Sequence, residues 1–241
     1  MTFSNATHAT ISARIDAAAR RAGHTVRLLA VSKTQPASAI RELAQSGQRE
    51  FGENYVQEAL AKQRELADPA LQWHLIGPLQ SNKCREVATH FDWLQSLDRE
   101  KLIPLLDRYR PAQKPPLNVL IQVNIDDEDS KSGCAPEAVA RLADLIARAT
   151  RLRLRGLMAI PRPHADFELR RAAFRRMRSA YDELHRRHPE HVDTLSLGMS
   201  DDFELAIEEG ATLVRIGTAL FGSRERGERR GENEGADSGK R

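Results

Sequence analysis

Apolar runs of strand length alternate along the chain with segments in which apolar residues recur at helical spacing. Repeated strand–helix units of this kind form a parallel sheet covered by helices. The strand candidates are Val26–Lys33, Arg49–Asn54, Leu71–Gly77, Phe91–Leu97, Asn118–Ile125, Leu154–Ile160, Thr194–Met199 and Leu213–Gly217. The pattern predicts an α/β protein, a single (β/α)8 barrel of the TIM type within residues 1–222.

Two segments lie outside the repeated units. A helix is predicted over Ala9–Ala22, with Ile11, Ile15 and Ala18 on one face, and we expect it to cover the bottom of the barrel. The final stretch, 223–241, is rich in Gly, Arg and Glu and lacks apolar anchors. It is expected to be a disordered polar tail with no part in the chemistry.

An arginine-rich segment, Ala165–His188, is predicted to be a helix. One face is apolar and should pack on the core, with Phe167, Phe174, Met177, Tyr181 and Leu184. The other face carries Arg170, Arg171, Arg175, Arg178 and Arg186. A solvated basic face explains these arginines better than a nucleic-acid site.

Composition narrows the function further. The 37 basic and 34 acidic residues nearly cancel, leaving a net charge of +3, which is a weak case for nucleic acid. The sequence has neither a signal-like start nor an apolar run of membrane-spanning length, so the prediction is a cytoplasmic protein without membrane contact. Cys84 and Cys134 have no paired spacing and are expected to be reduced thiols.

Lys33 is the first residue that could carry chemistry, because it directly follows an apolar strand. In a barrel of this kind the active site lies at the carboxyl ends of the strands. Desolvation there favours the neutral amine, which can form a Schiff base. A strand-terminal lysine alone is more often a surface residue whose stem is buried.

A second site is predicted at the ends of the last two strands, where Ser200 and the pair Gly217–Thr218 occur. Barrels bind phosphate at this place, since small residues let backbone N–H groups approach the oxygens. Ordinary helix capping is the competing interpretation. A Schiff-base lysine beside a phosphate site suits an aldehyde that carries a phosphate. Pyridoxal 5'-phosphate (PLP) and a sugar phosphate bound by a lysine-dependent aldolase both fit.

Long segments of the chain resemble the YggS/PROSC family of pyridoxal phosphate homeostasis proteins. They are AVSKTQP around Lys33, FGENYVQE at 51–58, WHLIGPLQSNK at 73–83, VNIDDEDSKSG at 123–133, GLMAI at 156–160, LSLGMSDDFELAIEEG at 195–210, and VRIGTALFG at 214–222. The resemblance implies a barrel similar to the N-terminal domain of alanine racemase. It also implies PLP as cofactor, bound by Lys33 as a Schiff base.

The same resemblance implies roles for neighbouring residues. Arg215 would face the pyridine nitrogen and weaken the ring as an electron sink. Ser200, Gly217 and Thr218 would hold the phosphate, while Asn54, Met158 and Ser196 would line the ring. Lys83 and Lys131 are candidates for secondary anion or aldehyde contacts, although solvated loop lysines are the favoured interpretation. No metal is expected, because His185, His188 and His191 lie around a helix end.

Catalysis is expected to be slow or absent. A racemase needs a base on each face of the substrate α carbon, and Lys33 supplies one. Tyr55, Tyr109 and Tyr181 offer no obvious second base, and only a short tail follows the last strand. The favoured function is storage and delivery of PLP by a monomer, with PLP-dependent apo-enzymes as recipients. A weak racemase or lysine-dependent lyase, and a purely structural barrel, are the alternatives.

Overall fold

The computed structural model describes residues 3–126, 132–162 and 164–222. Eight parallel strands close into one barrel in chain order, and the last strand pairs with the first. The strands are β1 Arg27–Val31, β2 Glu50–Glu53, β3 Gln72–Leu75, β4 Trp93–Leu97, β5 Leu117–Gln122, β6 Leu152–Met158, β7 Thr194–Ser196 and β8 Leu213–Ile216. The predicted (β/α)8 barrel and all eight strand positions are confirmed.

Helices cover the outside of this barrel. They are α1 Phe3–Ala22, α2 Ala37–Gln45, α3 Val56–Leu66, α4 Cys84–His90, α5 Ile103–Tyr109, α6 Val139–Arg148, α7 Phe167–Arg187, α8 Phe203–Glu208 and α9 Thr218–Phe221. Short 3₁₀ turns at Ser81–Lys83, Glu100–Leu102 and Pro136–Ala138 lead into α4, α5 and α6. Helix α6, for example, buries Val139, Leu142 and Ile146 and packs on β5 and β6.

The predicted place of the first helix is wrong. Helix α1 buries Ile11, Ile15 and Ala18, as its spacing indicates, but it packs against α8, α9 and α2. Helix α9, which follows β8, has only four residues and cannot cover that side of the sheet alone. Helix α1 therefore fills the gap in the outer helix ring instead of covering the barrel bottom.

The predicted core face of α7 is confirmed at four of its five positions. Phe174, Met177, Tyr181 and Leu184 are buried. Phe167 is 46% exposed, so its assignment to the core is wrong. Asp166 is the N-cap and accepts hydrogen bonds from the N–H groups of Glu168 and Leu169. The helix thus begins at Phe167, and the residues of its first turn, 167–169, are exposed.

The arginines of α7 are mostly matched by carboxylates. Arg171 and Arg175 pair with Glu209, Arg178 with Asp182, and Arg186 with Glu183. This pairing supports the solvated-face interpretation, since a nucleic-acid surface needs uncompensated positive charge.

Several further features bear on the predictions. Cys84 and Cys134 are both buried and free, and burial raises the pKa of each thiol to about 11. No helix within the described residues is long and apolar enough to span a membrane. The predicted tail 223–241 and Lys131 lie outside the described residues.

Candidate functional site

The carboxyl ends of the strands surround a cavity of about 490 Å³. Six of the predicted site residues line it: Lys33, Asn54, Ser200, Arg215, Gly217 and Thr218. They lie on or just after four different strands, so the barrel brings together residues that are far apart in sequence. The sequence prediction missed other lining residues, namely Ile76, Gln122, Asn124, Ser132, Ile160, Met199 and Asp201. Pro78, whose effect on the pocket loop the sequence left open, also lines it.

Lys33 reaches the cavity from a tight turn after β1. The turn is closed by a 3.0 Å hydrogen bond from the N–H of Gln35 to the carbonyl of Ser32. The Lys33 side chain is half-buried and makes no hydrogen bond or ion pair with the described residues. A primary amine with no partner in a cavity is free to react with a ligand.

Arg215 lies at the wall of the cavity and is 4% exposed. Its Nη1 donates to the carbonyl and the hydroxyl of Ser196 at 2.8 and 2.7 Å, and its Nη2 donates to the carbonyl of Ala159 at 2.8 Å. Burial lowers the pKa of Arg215 to about 10, opposed by the nearby carboxyl of Asp202. Arg215 is therefore a rigid cation at neutral pH.

The other end of the cavity is built from the loops after β7 and β8. Ser200 and Thr218 supply hydroxyl groups, and the N–H of Ala219 lies 3.4 Å from the Ser200 hydroxyl. No backbone carbonyl of the described residues accepts a hydrogen bond from the N–H of Gly217 or Thr218. Free N–H groups beside hydroxyls are the donors that a phosphate requires.

Glycine shapes the cavity between β2 and β3. A Cβ atom at Gly77 would lie 2.1 Å from the carbonyl oxygen of Asn54, so only glycine lets these two strand ends approach so closely. This contact places Asn54 on the cavity wall. A larger residue at position 77 would push the two loops apart.

Two predicted ring-lining residues, Met158 and Ser196, lie deeper than the described cavity lining. Met158 is fully buried in a small cluster with Trp93 and Leu120 inside the barrel. Ser196 is also fully buried and contacts Arg215. In this structure, Met158 acts as a core residue and Ser196 as a support for Arg215.

Ser196 belongs to a polar chain through the barrel interior that the sequence did not indicate. The Ser196 hydroxyl donates to Gln95 Oε1 at 2.8 Å, and Gln95 Nε2 donates to His74 Nδ1 at 2.9 Å. His74 Nε2 lies 3.4 Å from Glu50 Oε2, although it has no well-formed hydrogen bond there. Burial, reinforced by the Arg27 cation, lowers the pKa of His74 well below its usual range. His74 is thus neutral, with its proton on Nε2.

The remaining candidates are placed away from the cavity. Lys83 ends a 3₁₀ turn and lies 3.4 Å from Glu86. His185 Nδ1 lies 2.7 Å from the carbonyl oxygen of Val192. Within the described part of the chain, no group of three His, Cys, Asp or Glu residues is placed to hold a metal ion.

The fold and the cavity together define a class, the single (β/α)8 barrels that bind a ligand at the carboxyl ends of their strands. Within that class, the family model "Alanine racemase, N-terminal domain" matches residues 7–225. A pyridoxal phosphate homeostasis protein of Pseudomonas aeruginosa is 57% identical over 222 residues, covering 91% of this chain and 95% of the relative. This chain belongs to the family of pyridoxal phosphate homeostasis proteins.

Solved structures agree with this assignment. The PLP-bound structure of PipY from Synechococcus elongatus is 39% identical, with a TM-score of 0.80, and the match covers 90% of this chain and 99% of PipY. Alanine racemase from Corynebacterium glutamicum is 18% identical, with a TM-score of 0.62, and the match covers 90% of this chain and 60% of the racemase. At that identity, the racemase shows a shared fold only.

Proposed function

We propose that this protein binds PLP in the barrel cavity, with the aldehyde held by Lys33 as a Schiff base, and that it stores and delivers the cofactor in the cytoplasm. One observation carries the proposal. Lys33, which has no partner among the described residues, borders the same cavity as the two loops that supply hydroxyl groups, those after β7 and β8. The PLP-bound relative, PipY, supports the same cofactor. PLP-dependent apo-enzymes are the proposed recipients, and a monomer the proposed state.

The residues present fit PLP. The cavity volume of about 490 Å³ is within the range of small-molecule sites. Lys33 supplies an amine for an aldehyde, while Ser200, Thr218 and the free N–H groups of Gly217 and Thr218 supply donors for a phosphate. When bound, PLP supplies an aldehyde that condenses with amines and a ring that can accept electrons.

Each of these residues has one task in the proposed function. Lys33 would supply the amine that holds the aldehyde, with the aldehyde oxygen leaving as water. Ser200 and Thr218 would donate to the phosphate and so orient the ligand toward Lys33. Arg215 is proposed to face the pyridine nitrogen. A cation held by three hydrogen bonds keeps that nitrogen unprotonated, which favours binding over carbanion chemistry.

A weak racemase or lyase is the second candidate, and one observation favours it. The ionisable side chains among the described lining residues are Lys33, Asp201 and Arg215. Asp201 is therefore the one carboxylate there that could exchange a proton in addition to Lys33. Loss of the α deuterium from amino acids, at rates far above those of free PLP and abolished in Asp201→Asn, would establish this activity.

The proposed ligand class is tested by comparing PLP, pyridoxal without phosphate and glyceraldehyde 3-phosphate in calorimetric titrations of the apo protein. We expect PLP to bind most tightly, because it uses both ends of the cavity. Tighter binding of the sugar phosphate would identify an aldolase-type barrel instead. Delivery is then tested by mixing the loaded protein with an apo-aminotransferase and following recovery of transaminase activity.

A further inference from the structure

The turn that presents Lys33 contains an unfavourable backbone conformation. Thr34, the next residue, has a φ of +64° and is one of two non-glycine residues with positive φ in the described chain. A β-branched side chain strongly disfavours this left-handed region, which glycine or asparagine usually occupies in such turns. Strain of this kind persists only where surrounding contacts hold the backbone in place, and it concentrates at functional sites.

The surrounding contacts come from a cluster centred on one buried lysine, Lys62 of α3. Its side chain is 8% exposed, and its ammonium donates three hydrogen bonds of 2.7 Å. The acceptors are the carbonyl of Ser32, Glu53 Oε1 and Glu58 Oε1. All three protons of Lys62 are used, so this amine is not available to a ligand.

The same cluster contacts the backbone on both sides of Lys33. The carbonyl of Ser32, which precedes Lys33, accepts from Lys62. The N–H of Thr34, which follows Lys33, donates to Glu58 Oε1. The Ser32 hydroxyl donates to Glu53 Oε1 at 2.6 Å. The cluster therefore fixes the peptide groups on both sides of the residue whose amine enters the cavity.

We propose that Lys62, together with Glu53 and Glu58, is a positioning clamp that holds the strained turn and thereby aims the Lys33 amine at the aldehyde of the ligand. This inference rests on the proposed function. Lys62 acts only through the backbone of Lys33. A misplacement of a reacting group by about 1 Å can slow a reaction on the order of 100-fold, so a clamp of this kind controls the rate of bond formation.

The test measures Lys33 reactivity in two ways. Stopped-flow absorbance follows PLP binding, and mass spectrometry follows the labelling of Lys33 by acetic anhydride in the ligand-free protein. Lys62→Met should slow PLP binding on the order of 10- to 100-fold. It should also change the labelling rate. Lys62→Arg, which keeps the cation, is expected to retain more of the rate.

Two further variants separate positioning from simple structural support. Thr34→Gly in the Lys62→Met background should recover a large part of the lost rate, because glycine adopts positive φ without strain. A purely structural ion pair would not be rescued by that change. Glu58→Ala frees the Thr34 N–H while leaving Lys62 bonded to Glu53, so it remains informative if Lys62→Met fails to fold.

The possible outcomes are distinct. A wild-type protein that forms no PLP adduct at Lys33 contradicts the proposed function, while the labelling experiment still tests the clamp. Wild-type PLP binding with unchanged rates in folded Lys62→Met or Glu58→Ala overturns the clamp alone. Slowed rates with recovery by Thr34→Gly support it.

Discussion

At the amino ends of the strands, Arg27 and Arg155 each lie over the ring of Trp93, 4.8 Å from its centre. Arg27 pairs with Glu50, and Arg155 pairs with Asp193 and donates to Asn118 Oδ1. At the carboxyl ends, by contrast, Lys33 has no partner among the described residues and borders a cavity.

The contrast separates stability from binding. Charges that are paired over an aromatic ring close one end of the barrel and contribute to folding. At the other end, N–H donors and an amine without partners raise the free energy of the ligand-free protein. A ligand that supplies their partners lowers it again. Variants at the amino end should therefore change unfolding, and variants at the carboxyl end should change ligand binding.

Arg215→Met should have the largest effect. It should change both unfolding and ligand binding, because Arg215 joins the cavity to the polar chain inside the barrel. The carbonyl of Ala159 would lose its donor and that of Ser196 would keep only the N–H of Ala159, and a buried acceptor left without a partner costs about 1–3 kcal/mol. We expect the free energy of unfolding in urea to fall by about 2–4 kcal/mol, and PLP to bind more weakly. Arg153→Met, at an exposed position of β6, is the control and should change stability by less than about 0.5 kcal/mol.

Ser200→Ala and Thr218→Val test the carboxyl end alone. Each removes one hydroxyl from the proposed phosphate site, and hydrogen bonds to charged groups are worth about 1.5–3 kcal/mol. The dissociation constant for PLP should rise about tenfold or more, since 1.4 kcal/mol corresponds to a factor of 10. The affinity for pyridoxal and the urea midpoint should stay unchanged. A matching loss for pyridoxal would show that these hydroxyls do not contact a phosphate.

Arg155→Met tests the amino end alone. Methionine retains the apolar stem over Trp93 but loses the bonds to Asp193 and Asn118. Asp193 is 54% exposed, and solvent screening limits the loss in unfolding free energy to about 1–2 kcal/mol. PLP affinity should be unaffected. Weaker PLP binding at unchanged stability would contradict the division between the two ends.

His74→Gln should have the smallest effect at neutral pH and a clear one in acid. The folded protein lowers the pKa of His74, so the unfolded chain binds a proton more readily below a pH of about 6.5. This group's stabilising contribution is present above that pH and falls by up to about 1.4 kcal/mol per pH unit below it. Urea titrations at several pH values should show this loss of unfolding free energy in the wild type and not in His74→Gln.

Glu50 faces His74 and has a raised pKa, chiefly because burial disfavours its charge. The contribution of Glu50 to the pH dependence of unfolding has the opposite sign, since the folded state takes up the carboxyl proton more readily than the unfolded chain does. The difference between wild type and His74→Gln isolates the histidine. Equal pH slopes in the two proteins would show that His74 takes up a proton as readily in the folded protein as in the unfolded chain.

Much of the fold was predictable because the strands of a closed parallel barrel are apolar and evenly spaced. The errors fall where tertiary contacts decide. The candidate Leu154–Ile160 missed the start of β6 at Leu152, because Arg153 interrupts the apolar run there. The next arginine, Arg155, pairs with Asp193 and lies over Trp93 at the amino end.

The candidate site was predictable only in part, for the same reason. Lys33, Ser200 and Thr218 stand directly beyond apolar strands, so local pattern indicates them. Gln95 and His74 sit within buried strands and form a chain only once the barrel closes. Lys62 is on the third helix, where a lysine normally reaches solvent. Its i,i+4 spacing from Glu58 is a local signal for one of its three hydrogen bonds, and nothing local indicates the bonds to Glu53 and to the carbonyl of Ser32.

The most direct test of the account is the absorption spectrum of the PLP-loaded protein between roughly 300 and 450 nm, before and after borohydride, followed by peptide mapping. We expect a band that borohydride converts to a stable pyridoxyl group on Lys33. This adduct should be absent in Lys33→Ala and retained in Lys83→Ala, which alters a lysine outside the cavity lining. No band with excess PLP, or an adduct on another lysine of the wild type, would contradict the central claim.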